Sequence, residues 1–331
     1  MVRLVADLGG TNCRLAQITD PKTCAGSAPQ AIQSYRIDGF SDFASLVRRY
    51  LEDSGQPDLS EMVIAVAGPV SDCRLAGSGQ IAKVTNWDWQ ISSTELGQAF
   101  GDIPVGIIND LNALGHSLTD LKSGDLQALH PPELAQDYAQ DDGLGQQQRL
   151  VIGIGTGFNL SPVITTQQGS SCLAGEYGHV ALPQDVHLAL AARLGGRADQ
   201  FRSVECCFSG RGCEALFAAF TPQSTLKGAA DILHLAPQAE TKAFQEFYAN
   251  LLALLCRNLL NGFLPREGIY FAGSIARSLL TGPASARFAS QFFEPDPQFP
   301  DIAAPVYILL DDAAALKGCA RYRFSPVEVQ G

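Results

Sequence analysis

Two stretches of this chain share one plan: a strand-length apolar run, a glycine-rich turn carrying hydroxyl and amide side chains, and a second strand-length run. In the first, residues 2–6 lead into Asp7-Leu8-Gly9-Gly10-Thr11-Asn12 and a returning strand at 13–18. In the second, residues 150–154 lead through Gly155-Thr156-Gly157-Phe158-Asn159 to a strand at 160–165. A chain that reverses through so tight a turn makes a hairpin, so the first sheet is not purely parallel. Around these hairpins, strand and helix patterns alternate, which points to an α/β fold. Strands are expected at 62–67, 105–108, 268–272 and 306–310. Helical spacing recurs at 43–51 behind Ser41 as N-cap, then at 185–195, 211–220, 238–262 and from about 312 to 322. The segment 238–262 is apolar on more than one face and is expected at the centre of a second domain. Residues 119–148, rich in Asp, Gln and Gly with Pro131-Pro132, read as a surface connection.

Composition narrows the function. With 331 residues, 46% apolar and 17% charged, the chain has a real core and room for two domains. A net charge of −11 argues against a nucleic-acid surface, although a nucleotide site needs only local donors. The most apolar stretch, 251–264, is broken by Arg257, Asn258 and Asn261, well short of the roughly 20 residues of a membrane helix. Only six residues precede Asp7, too few for a signal peptide's apolar region, and the cysteine count of nine is odd. The expectation is free thiols in a reducing cytoplasm, with neither nucleic acid nor membrane as partner.

Five motifs carry chemistry. Asp7, Gly9, Gly10, Thr11, Asn12 and Arg14 form a donor set suited to phosphate, with Asp7 placed to hold a hydrated Mg²⁺. Gly155, Thr156 and Gly157 suit a second phosphate loop. It is not a dinucleotide fingerprint, since neither the glycine spacing nor a following helix is present. Asn109-Asp110 closes an apolar strand and opens a helical segment, as either a helix N-cap or a general base facing a substrate hydroxyl. Glu176 and His179 beside glycines suit polyol recognition, the alternatives for His179 being a metal ligand or a structural histidine. Cys206, Cys207 and Cys213 are badly spaced for zinc and are expected as thiols buried on helices.

Taken in order, these residues resemble the bacterial glucokinases, within the superfamily of sugar kinases, actin and Hsp70. The resemblance runs through Asp7–Arg14, Thr85-Asn86-Trp87-Asp88-Trp89, Ile107-Ile108-Asn109-Asp110, Gly155–Gly157, Gly175-Glu176 with His179, Glu205 with Ser209-Gly210, Ala272-Gly273, and 312–320. It covers nearly the whole chain. Three departures stand out. Ser274 follows Gly273 where the family often has a second glycine. Phe158-Asn159 follow Gly157 where a small residue is common. The cysteine run echoes, with broken spacing, a motif of a related branch that includes repressors and zinc-containing sugar kinases.

The resemblance implies a two-domain actin-like ATPase (ribonuclease H-like) fold with an interdomain cleft. Its small domain would comprise 1–110 with about 312–331, and its large domain 111–311. It implies glucose held by Asn86, Asn109, Asp110, Glu176, His179 and Glu205, and Mg²⁺-ATP on the two hairpins with adenine near Gly273. Asp110 would take the proton of the sugar 6-hydroxyl as that oxygen attacks the γ-phosphorus. A homodimer is the expected assembly. Three other readings stand beside it: a kinase for another hexose or N-acetyl-hexosamine, a non-catalytic sugar-sensing regulator, and an actin-like filament protein.

Overall fold

The structure, a computed structural model, describes residues 1–19, 28–73, 79–84, 87–129, 147–167, 169–233, 239–297 and 302–324. The chain forms two compact units, Met1–Leu121 with Asp312–Gly331, and Lys122–Asp311.

The first unit is built on a five-stranded sheet in the order Gln30–Arg36, Asn12–Thr19, Val2–Leu8, Leu59–Val66, Val105–Asn109. The first three strands run antiparallel; Val2–Leu8, Leu59–Val66 and Val105–Asn109 run parallel. One face buries Leu4, Leu8, Leu15, Ile64 and Ile107 against Phe43, Leu46 and Tyr50 of the helix Phe43–Asp53. That helix is capped by Asp42, whose carboxylate accepts the Ser45 N–H at 2.7 Å, and not by Ser41 as expected. A reciprocal bond from the Asp42 N–H to the Ser45 hydroxyl completes a capping box, an arrangement the Ser41 position does not offer.

The other face buries Val5, Val63 and Ala65 under two helices, Asp110–Ser117 and Ala314–Arg321. These helices approach so closely that a side chain at Gly318 would run into the carbonyl of Ala113. Arg3, only 5% exposed, donates to the carbonyls of Ala320 and Tyr322 at 2.6 and 2.9 Å, satisfying the end of the last helix. The helix Asp110–Ser117 therefore belongs to the first unit, which runs on to Leu121 past the expected boundary at 110. A small three-stranded sheet, Val70–Cys73, Gly79–Lys83 and Gln90–Ser92, is an addition the periodicity did not indicate.

The second unit has a six-stranded sheet in the order Gly169–Cys172, Phe158–Thr166, Gln147–Ile154, Ile269–Ala272, Val306–Leu309, Leu126–Ala128. The last strand lies within the segment expected as a connection, pairing antiparallel with Val306–Leu309; residues 130–146 lie outside the described residues. The helix Ala239–Phe263 runs through the core, burying Phe244, Tyr248, Leu251, Leu252, Leu255 and Leu259. Its Phe244 packs edge-on against Phe217 and stacks on Tyr248 within the helix, with ring centroids 5.5 Å apart in that stack. Of the cysteine run, Cys207 and Cys213 are buried as expected of helix thiols, whereas Cys206 is exposed. The described cysteines 13, 172, 206, 207, 213, 256 and 319 are free thiols. Among the described residues no helix is long and apolar enough to cross a membrane.

Candidate active site

In the first unit the parallel strands share one carboxyl edge. The register pairs Leu8 with Val66 and Val66 with Asn109, so Asp7 and Asp110 stand at the same edge, two strands apart, or about 10 Å across the sheet. Parallel strands bring their carboxyl ends together with the helices that follow them, and ligands of open α/β sheets gather there.

Asp7 is paired across the hairpin with Arg14, and their side chains approach to 3.7 Å. The same guanidinium donates to the Asp312 carbonyl at 3.2 Å, tying the hairpin to the segment that opens the last helix. Burial raises the Asp7 carboxyl above its ordinary value; the Arg14 charge opposes this and the Asp312 carboxylate adds to it. The glycine turn is closed by Gly9 N–H to Asn12 O at 3.0 Å, which leaves Thr11 and Asn12 exposed at the tip. The Gly10 carbonyl accepts the indole N–H of Trp87 at 2.8 Å. Asn86, next to it, lies outside the described residues.

Of the two roles that the sequence left open for Asn109-Asp110, the helix N-cap is the one seen in the structure. Asn109 is the N-cap: its Oδ1 accepts the Leu111 N–H at 3.0 Å while its amide donates to the Gly68 carbonyl at 3.2 Å. Asp110 is the first helical residue and also accepts the Leu111 N–H, at 3.0 Å. Burial and then the Asp7 charge push the Asp110 carboxyl up to about 7, against the opposing effect of its hydrogen bonds. A carboxylate with that affinity for a proton is a competent base near neutrality.

In the second unit the hairpin Gln147–Ile154 to Phe158–Thr166 is a platform for residues from distant segments. Its turn is closed by Gly155 N–H to Gly157 O at 2.9 Å, with Thr156 exposed at the tip. Glu205 enters from the short helix Val204–Phe208, and its carboxylate accepts the Phe158 N–H at 2.7 Å. Gly157 and Gly178 make room for that carboxylate: a Cβ would lie 3.5 Å from it at Gly157 and 3.0 Å at Gly178. Gly273, at φ +93°, has a conformation favouring glycine, and a side chain there would strike the Ile154 carbonyl. Glu176 and His179 lie on the turn after Gly175, both exposed, and the His179 N–H closes that turn on the Glu176 carbonyl at 3.1 Å. Glu176 reaches the Asn159 amide at 3.4 Å.

The expected residues thus fall into two sets, one in each unit. Asp7, Gly9, Gly10, Thr11, Asn12, Arg14, Asn109 and Asp110 lie in the first; Gly155, Thr156, Gly157, Glu176, His179, Glu205 and Gly273 lie in the second. Two further residues had no role assigned to them. Trp87 lay inside a motif quoted for its asparagine, and Asn159 was named only as part of a departure from the family's loop. Among the described residues no group of three or more His, Cys, Asp or Glu is arranged to hold a metal ion.

The glucokinase family model matches residues 4–324. The chain is 26% identical over 344 residues to the glucokinase of Rhizobium etli (strain CIAT 652), spanning 98% of this chain and 92% of the relative. The solved glucokinase of an Antarctic psychrotroph superimposes with a TM-score of 0.77 at 26% identity, covering 97% of this chain and 98% of that one. A ROK-family glucokinase from Streptomyces griseus, solved with glucose and AMPPNP, shares the fold at a TM-score of 0.57 and 18% identity over 97% of this chain and 98% of that one. The fold is that of the sugar kinases of the actin-like ATPase type.

Proposed function

The chain belongs to the glucokinase family, and from that premise we propose that it transfers the γ-phosphoryl group of ATP to the 6-hydroxyl of glucose. The observation that carries the reading is Asp110, a carboxyl raised to about 7 at the carboxyl edge of the first unit's parallel strands. An alcohol oxygen attacking phosphorus becomes strongly acidic as the bond forms, and a nearby base of matched pKa removes its proton. Phosphoryl transfer asks mainly for position and charge stabilisation, and the remaining residues are suited to supply both.

In this reading Asn109 orients the sugar beside Asp110, and Glu176, His179 and Glu205 accept from or donate to its other hydroxyls. Asn86 is assigned to the same sugar. The turns Gly9–Asn12 and Gly155–Gly157, with the Thr11 and Thr156 hydroxyls at their exposed tips, hold the phosphates, and Gly273, packed on the Ile154 backbone, is assigned to the nucleoside side of the site. Asp7 and the neighbouring Asp312 carboxylate would meet a hydrated divalent cation through water, beside the Arg14 guanidinium 3.7 Å from Asp7. Mg²⁺ carried in with ATP would neutralise phosphate charge. The reading extends to a cytoplasmic homodimer, which light scattering of the purified protein checks.

Phosphoryl transfer from Mg²⁺-ATP is measured with glucose, mannose, fructose, N-acetylglucosamine and N-acetylmannosamine. Glucose is expected to lead by at least about tenfold in kcat/KM, the discrimination available when a sugar hydroxyl leaves its partner unpaired. Another sugar leading would keep the mechanism and overturn the substrate. Tight sugar binding without turnover would overturn the kinase reading in favour of a sensor.

A further inference from the structure

We propose that Asn159 is a positioning residue that sets the Glu176 carboxylate for the sugar. The proposal rests on the reading of Glu176 as a sugar ligand.

Asn159 is half-buried at the start of the strand Phe158–Thr166, directly after the residue whose N–H holds Glu205. Its side-chain amide has two donors and two acceptor lone pairs, and the structure uses all four. Oδ1 accepts the Leu160 N–H at 2.8 Å and the Tyr177 N–H at 3.0 Å. Nδ2 donates to the Gly175 carbonyl at 2.7 Å and to Glu176 Oε2 at 3.4 Å. Gly175, Glu176 and Tyr177 are consecutive, so a single side chain grips the turn on both sides of Glu176 and touches its carboxylate as well. Adjacent residues of one strand therefore hold the two carboxylates assigned to the sugar, Phe158 through its backbone and Asn159 through its side chain.

This arrangement answers a difficulty in the turn itself. Glu176 is exposed, and an exposed glutamate loses considerable rotamer freedom when a ligand fixes it. A turn fastened at Gly175 and Tyr177, with an N–H on the carboxylate, confines the side chain before the sugar arrives. All four hydrogen-bonding positions of the Asn159 amide are engaged within the protein, so its effect is expected on the sugar and not on the phosphates.

Asn159→Asp is the decisive variant, because it keeps the shape and the two accepted N–H groups but turns the donor into an acceptor facing the Gly175 carbonyl and the Glu176 carboxylate. Calorimetric glucose binding is measured for the full chain and for Asn159→Asp, Glu176→Gln and the double variant, with KM and kcat for both substrates and thermal denaturation alongside. Asn159→Asp is expected to weaken glucose binding about ten- to hundredfold, the scale of a lost hydrogen bond to a charged group. KM for ATP and kcat are expected to stay within about threefold. In the double variant the added loss is expected to shrink to less than about threefold, since the effect passes through Glu176. If Glu176→Gln binds glucose like the parent, the premise fails and takes the proposal with it. If Glu176→Gln loses binding while Asn159→Asp does not, or if the two losses add in full, the premise stands and Asn159 is not its positioning residue. A loss seen equally for ATP, or accompanied by a collapse in thermal stability, overturns the proposal in favour of a purely structural role.

Discussion

The two glycine hairpins look alike in sequence and are built on opposite principles. In Val2–Thr19 the charged groups belong to the hairpin itself: Asp7 and Arg14 face each other across the ladder, and a Cβ at Gly9 would meet only the Asn12 carbonyl, at 3.4 Å. In Gln147–Thr166 the hairpin contributes backbone, and the carboxylate on it comes from Glu205, some fifty residues on. Side chains at Gly178 and Gly273, from two further segments, would strike the Phe158 and Ile154 carbonyls, and one at Gly210 would come within 3.1 Å of the Gly155 carbonyl. The first hairpin is a self-contained charged edge, whereas the second is a template on which distant residues assemble. Damage to the first should therefore show as altered chemistry and charge, and damage to the second as lost shape and sugar affinity.

The largest effect expected is at the charged edge. Asp110→Asn keeps the Leu111 N–H bond and removes the base, so kcat should fall by at least about 10²-fold while glucose binding changes little. Steady-state assays with calorimetry check this, and a near-parental kcat would remove Asp110 from the chemistry. The same residue predicts the pH response. With its carboxyl at about 7, the parent's kcat/KM should rise with pH through a midpoint near 7 and lie flat above it. Stability should run the other way. A carboxyl whose folded pKa exceeds the unfolded value of roughly 3.9 binds more protons folded than unfolded between about pH 4 and 7, so native stability falls as pH rises through that window. Asp110→Asn lacks that slope, and its thermal midpoint should gain on the parent's from pH 5 to pH 8. A rate midpoint below about pH 5 would contradict the assignment.

The template is broken by adding one carbon. Gly178→Ala drives a Cβ into the Phe158 carbonyl and brings it within 3.0 Å of the Glu205 carboxylate, so about 1–3 kcal/mol of stability should be lost. Glucose KM should rise about tenfold or more, at about 1.4 kcal/mol per decade. Gly9→Ala in the first hairpin meets only an ordinary contact and should change stability by less than about 0.5 kcal/mol. Chemical denaturation of the pair tests the contrast directly; equal losses would mean that the hairpins are alike after all.

The same contrast explains what was legible in the sequence. Local signals carried the first hairpin completely, since Asp7, the glycines and Arg14 sit within one reach of chain. Long buried elements were equally plain: a helix expected at 238–262 is Ala239–Phe263, and one expected at 211–220 is Gly210–Phe220. Gln30–Arg36 escaped because it is a polar edge strand with no alternation toward a core, and Val204–Phe208 because five residues are too few for a period. In the second unit the motifs around Glu176 and Glu205 were visible, but their meeting on the Phe158-Asn159 backbone is a tertiary fact. Asn159 had no sign of its own beyond standing where a smaller residue is common, and Trp87 none beyond neighbouring Asn86.

Trp87 gives the smallest and most discriminating prediction, because its side chain reaches the glycine turn of the first hairpin from outside that hairpin. Its indole N–H holds the Gly10 carbonyl at 2.8 Å, and its ring packs near that of Trp89, with centroids 5.9 Å apart. Trp87→Phe keeps an aromatic ring and deletes only the donor. A net loss of about 1 kcal/mol is expected for one such bond, or about fivefold. If the bond serves to hold the glycine turn ready for phosphate, that fivefold should appear in KM for ATP, with glucose affinity unchanged. If it merely fastens the segment that carries Trp87, the loss should move instead to glucose, through the neighbouring Asn86. The direction of so small a change thus decides whether the charged hairpin is preorganised by its own turn alone or by a side chain reaching in from outside it.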